Sequence, residues 1–230
     1  MPDVCSAEIR TRAGDRQGAA ADGGNGENGR DQRVTSRTLG DLVARLLGGT
    51  SDTRKAADKL FLRLVGQARQ PAFFRNMAVP DSIDGRFELL VLHLFLVFQR
   101  LKPEGARGGD LAQSLYDVAM QDLEASLRQL GAGDAGVGKR IRVMTEAMQG
   151  RILAYERALG GSQLDVEAAL RRNLFGTSEP EIDALRRMAA YLRAGKELAD
   201  SQPLDRILRG DFQFPPPPVV EHAAGVTFDD

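Results

Sequence analysis

The stretch RFELLVLHLFLVFQRLKP, Arg86 to Pro103, decides how the chain is read. From Phe87 to Phe98 only Glu88 and His93 are polar, and Pro103 closes the run. Crossing a bilayer takes about 20 apolar residues, so the run is too short for that. It is long for a strand, although its Val and Phe content keeps a strand open. The reading adopted is a helix apolar on nearly all sides, which belongs in the middle of a domain.

Working outward, helical spacing dominates. TLGDLVARLLGG (Thr38–Gly49) predicts a short amphipathic helix ended by Gly48 and Gly49. Ser51 or Thr53 then caps a longer helix with Ala57, Leu60, Phe61, Leu64 and Val65 on one face. Pro71 starts a turn that presents Phe73 and Phe74. In VPDSIDGRF (Val79–Phe87), Pro80, Asp81 and Gly85 fit a turn into the central helix, with Asp81 or Asp84 as its cap. Arg86, one turn into that helix, calls for a carboxylate, for which Asp134, Asp117 and Asp122 are the candidates.

Beyond Pro103, a helix opening near Asp110 carries Leu115, Ala119, Leu123, Leu127 and Leu130, and Gly131 ends it. The next carries Ile141, Met144, Met148, Ile152 and Tyr155 as far as Gly160. LDVEAALRRNLFG (Leu164–Gly176), EPEIDALRRMAAYLRAGKELAD (Glu179–Asp200, Pro180 in the first turn) and PLDRILRG (Pro203–Gly210) complete the set. No stretch alternates with period two, and no fixed repeat occurs. The expectation is an all-α protein: one compact multi-helix domain over residues 35–210 around a buried central helix. A Gly-rich lead, residues 1–34, is expected to be disordered. Residues 211–230 form a Pro-rich tail whose Pro215–Pro218 run favours polyproline II, docked or free.

Composition narrows the function classes. The chain has 230 residues and a net charge of −1, so no global field draws in nucleic acid. Its single cysteine, Cys5, excludes a disulfide framework and cysteine-based metal sites. The N-terminus has no apolar middle section of a secretory signal, and Asp3, Glu8 and Asp15 interrupt any transit-peptide pattern. A soluble, cytoplasmic protein is the default expectation.

GDAGVGKRI, Gly133 to Ile141, resembles the front of a phosphate-binding loop, since Gly133, Gly138 and Lys139 fall in place. Arg140 stands where a Ser or Thr would ligate magnesium, and no apolar strand precedes the glycines. A nucleotide- or phosphate-binding enzyme using Gly133–Lys139 is therefore a minor alternative. The simpler reading is a helix–loop–helix connection in which Gly133 and Gly136 take unusual backbone angles and Asp134 caps the second helix. Lys139, Arg140 and Arg142 would then make a local cationic patch.

Other candidates are structural. His93, amid Leu92, Leu94 and Phe95, reads as a hydrogen-bonded core histidine. His222 lies in the tail, so no two-histidine metal site arises, and neither metal nor cofactor is expected. Asp117 and Asp122 are about 140° apart around a helix and make no carboxylate pair. Asp122 flanks the apolar stripe, which suggests an inward acid in an ion pair.

Two signatures, V-P-D-x-x-D-G-R-F and G-D-x-G-V-G-K-R, occur in this order. With their helical surroundings, from about residue 60 to 159, they resemble the ubiquinol–cytochrome c chaperone family. Pro80, Asp81, Asp84, Gly85, Arg86 and Phe87 match the first. Gly133, Asp134, Gly136, Val137, Gly138, Lys139 and Arg140 match the second. The resemblance implies no enzyme but an assembly chaperone, which binds newly synthesised cytochrome b and promotes assembly of the ubiquinol–cytochrome c reductase (bc1) complex. It also implies a small second chaperone subunit as partner, and peripheral attachment at the inner face of the inner membrane, on the matrix side in mitochondria. Phe73, Phe74, Met77 and Met148 are the candidates to line an apolar client groove, with Arg86, Lys139 and Arg140 orienting the client. Where relatives carry aromatics, Met148 offers a flexible replacement. A helical adaptor for another client, with the proline tail as its ligand motif, is the second reading.

Overall fold

The computed structural model describes the backbone of residues 35–129 and 134–218, and the side chains of residues 51–129 and 136–218. The expectations for the lead segment with Cys5, for Gly131, Gly133 and the Asp134 side chain, and for His222 lie outside the described residues. Among the described residues the secondary structure is helical. The order is α1 (Thr35–Ala68), α2 (Pro71–Arg75), α3 (Ile83–Leu101), a 3-10 turn (Lys102–Glu104), α4 (Gly105–Gln129), α5 (Asp134–Leu159), α6 (Gln163–Asn173), α7 (Ile182–Ser201) and α8 (Leu204–Ile207). The described residues from Val43 onward belong to one compact unit, which contains everything discussed below.

The run quoted at the outset is helix α3, not a strand, and every residue from Val91 to Val97 is buried. Its sequence explains how one helix serves two cores. Leu89, Leu92, Phe95 and Leu96 recur at three- and four-residue spacing on one face. They pack with Phe73 of α2, Tyr155 of α5, and α6 and α7. Val91, Leu94, Val97 and Leu101 form a second stripe, packed with α1, α4, Met148 and Ile207. Each buried Leu or Phe contributes about 1.5–3 kcal/mol, so a helix apolar all round is most stable between two layers of partners.

Several boundaries differ from the sequence reading. Helix α1 runs through Gly48 and Gly49 without a break, so neither Ser51 nor Thr53 begins a helix. A mid-helix glycine costs about 1 kcal/mol relative to alanine, which is a penalty and not a stop. Helix α4 starts at Gly105, ahead of Asp110. Pro180 precedes the N-cap of α7, Glu181, and so lies just outside the first turn. Ser82, and neither Asp81 nor Asp84, caps α3: its hydroxyl accepts from the Gly85 N–H at 3.1 Å. Helix α6 opens on a reciprocal capping box between Ser162 and Asp165.

Packing does not stop at Gly210. That glycine has φ of 80°, a left-handed turn that favours a residue without Cβ, and it redirects the chain into an extended strap. Phe212 is buried, and the Phe214 ring stands edge-on to His93 with centroids 5.1 Å apart. Gln202 brackets the strap backbone, accepting from Gln213 N–H at 2.7 Å and donating to its carbonyl at 3.0 Å. Gln67 donates to the Pro215 carbonyl at 2.8 Å. The start of the Pro-rich segment is therefore docked.

Candidate functional site

The two signature segments meet across one open groove of about 860 Å³. The first turn of α3 contributes Ile83, Asp84 and Phe87, and α4 contributes Leu127. Helix α5 supplies Gly136, Lys139, Arg140, Val143, Met144 and Ala147, one face at helical spacing. The end of α6 and the turn beyond it, with Arg172 and Leu174, form the remaining wall.

Local chemistry fixes the α3 wall. Val79 N–H bonds back to the Phe73 carbonyl, and Ser82 caps the helix two residues after Pro80. Arg86 finds its carboxylate within the same segment, donating to Asp81 at 2.8 Å, with its guanidinium 5.8 Å from the Phe74 ring. The expected partners Asp117 and Asp122 are not used. Asp122 is exposed, and Asp117 accepts from Gln113 on its own helix. A neighbour five residues away in a capped turn costs less chain entropy than one on another helix.

A buried ion pair closes the floor. Arg151 on α5 donates through two nitrogens to both carboxylate oxygens of Glu88 on α3. Burial pushes the Glu88 carboxyl up, against the opposing pull of the Arg151 hydrogen bond and charge. One turn beyond Arg151, the Tyr155 hydroxyl is buried without a hydrogen-bond partner among the described residues. Burial and the Glu88 charge both push its pKa up.

Of the other sequence candidates, Phe73, Met77 and Met148 lie in the core and are not on the lining of this groove. Phe74 is half-buried. The proposed glycine loop is a helix from Asp134 onward, with Gly136 and Gly138 inside it, neither at positive φ. Its amides from Gly138 on are committed to helical bonding. Val137 is buried, while Lys139 and Arg140 are exposed at the groove rim.

His93 is the core residue expected. Its Nδ1–H donates to the Leu89 carbonyl at 2.7 Å, and Nε2 accepts from the Tyr191 hydroxyl at 2.8 Å. Tyr191 in turn accepts from Gln67 at 3.0 Å. Burial lowers the His93 pKa to about 4. Among the described residues no group of three or more His, Cys, Asp or Glu side chains could hold a metal ion, and no helix is long and apolar enough to cross a membrane.

Sequence reasoning missed Glu88, Arg151, Val143, Ala147, Arg172 and Leu174. The signal available was the α5 face from Gly136 to Arg151, where apolar residues and cations alternate at one helical spacing. Such a stripe reads as imperfect core until the cations are seen to surround an open cleft.

A family model described as ubiquinol-cytochrome C chaperone matches residues 75–214. The chain is similar to ubiquinol-cytochrome c reductase complex assembly factor 1 of Mus musculus, 24% identical over 162 residues, 70% of this chain and 55% of the mouse protein. It is also 24% identical over 156 residues to Protein CBP3, mitochondrial, of Saccharomyces cerevisiae, covering 64% of this chain and 45% of the yeast protein. The chain thus spans about half the length of these relatives. Among solved structures, that of the Cbp3 homolog from Brucella abortus superposes with a TM-score of 0.67 at 31% identity, covering 76% of this chain and 97% of that one.

Proposed function

The chain belongs to the ubiquinol-cytochrome c chaperone family, and from that premise we propose that it acts as a non-enzymatic chaperone for bc1 complex assembly, with newly made cytochrome b as its client. The observation that carries the reading is the convergence of both signatures on one groove with apolar walls and a cationic rim. Val143 and Ile83, 53% and 63% exposed, offer apolar surface for a client to cover. Their burial supplies affinity, and the charged rim sets orientation. The client is a membrane protein, so the chaperone works peripherally at the inner face of the membrane, together with a small second subunit.

The test is capture from the native host. A C-terminally tagged chain is crosslinked briefly, and the proteins co-purifying from solubilised membranes are identified. Enrichment of cytochrome b over equally abundant membrane proteins is expected. Recovery of soluble proteins alone would overturn the proposal.

A further inference from the structure

On the reading that the client occupies this groove, we propose that it presents an amphipathic helix whose apolar face is flanked by acidic side chains. Shape comes first. On α5 the positions 136, 139/140, 143/144 and 147 recur every three or four residues, a ridge of about 17 Å at 1.5 Å per residue. A Cβ built on Gly136 would meet nothing within 4 Å, so the ridge is open at that end. The apolar members of this face, Val143, Met144 and Ala147, line the groove together with Ile83 and Phe87 of α3. A rod-shaped apolar partner fits such a cleft by the ridge-and-groove packing that joins helices within a domain.

Charge decides the flanks. Lys139, Arg140 and Arg172 are exposed on the groove lining, and among the described residues none of them has an ion-pair partner. Elsewhere on the surface some cations are paired, as Arg54 is with Asp58 and Arg107 with Asp205, and others such as Lys59, Arg69 and Arg75 stand apart from one another. Lys139, Arg140 and Arg172 are distinguished by lining one cleft together. Opposing them on the lining are Asp84, which is exposed, and Glu88, which is already tied to Arg151. The rim is therefore cationic on two sides, at α5 and at the end of α6. Rim charges add little affinity each, but they select partner charge and register. An anionic lipid headgroup would satisfy the cations, but it would leave Val143, Met144 and Ala147 uncovered.

The experiment uses the full chain and two fluorescent helical peptides of about 16 residues. Both share a leucine face, flanked in one by Glu and in the other by Lys. Anisotropy is expected to show the Glu-flanked peptide binding about tenfold more tightly. The variant Lys139→Glu/Arg140→Glu/Arg172→Glu, all exposed positions, is expected to reverse that preference while keeping the wild-type melting curve. Equal binding of the two peptides, or a preference unmoved by the variant, would overturn the proposal. So would phosphatidylglycerol vesicles binding with this charge dependence while the peptides do not bind. Crosslinking of the client from Val143 reports separately on the groove as client site. If crosslinking holds but peptide charge is immaterial, only this inference fails; if peptide charge matters but no client crosslinks, the client reading fails instead.

Discussion

Gly85 stands so close to Pro80 that a Cβ on it would lie 2.0 Å from the Pro80 carbonyl oxygen. Both residues belong to the same signature, and their contact folds the turn back against the first turn of α3. Gly85→Ala must push backbone apart, and no flexible side chain is there to yield. We expect a loss of about 1–3 kcal/mol, as for overpacked cores, read by urea denaturation. Wild-type stability in this variant would show that the turn is compliant.

Arg151→Met leaves Glu88 buried without its cation. The lone carboxyl is then folded most cheaply in its protonated form, so its folded pKa rises further above the ordinary 4.5. A raised pKa gives stability that is full below the unfolded value and lost as pH climbs through the folded one. The variant should lose about 3 kcal/mol at pH 7, the low end for a broken buried pair, because the Arg151 side chain is 24% exposed. The deficit should shrink towards pH 4.5, and Glu88→Leu/Arg151→Met should recover most of it. Denaturation midpoints at pH 7 and pH 5 decide the matter.

His93 works in the opposite sense. Its folded pKa of about 4 lies below the ordinary 6.5, so the fold holds the neutral ring. This contribution is full above pH 6.5 and is lost as pH falls through about 4; the window spans about 3 kcal/mol at 1.36 kcal/mol per unit. His93→Gln should flatten the stability–pH profile between pH 6.5 and 4 relative to wild type. Parallel profiles would remove His93 from the account.

The strap is structural on this reading. Phe212→Ala should cost about 3–5 kcal/mol, as for a buried aromatic, because Phe212 is 2% exposed and its ring lies 4.8 Å from that of Phe214. A melting temperature unchanged by the substitution would mean that the strap is dispensable.

Much of the fold is legible in the sequence because α3 carries two apolar stripes on one helix, a pattern that only a central helix satisfies. Boundaries are less legible where glycine reads as a helix stop, at Gly48 and Gly49, or as a loop residue, at Gly136, since helix propensity yields to neighbouring residues. The cationic half of the site was visible in Lys139 and Arg140. Its apolar half was not: Phe73, Met77 and Met148 are more hydrophobic than Val143 and Ala147, and hydrophobicity ranks residues for the core before it ranks them for a cleft. Arg172 and Leu174 reach the groove only through the packing of α6 on α5, which no local pattern encodes.

The most direct measurement places a photo-crosslinking amino acid at position 143 and, as a control, at position 164, where Leu164 is 74% exposed and lies off the groove. Irradiation in the native host is followed by identification of the adducts. The account predicts a cytochrome b adduct from position 143 and none from 164. An adduct from 164 with none from 143, or equal labelling from both, would contradict it.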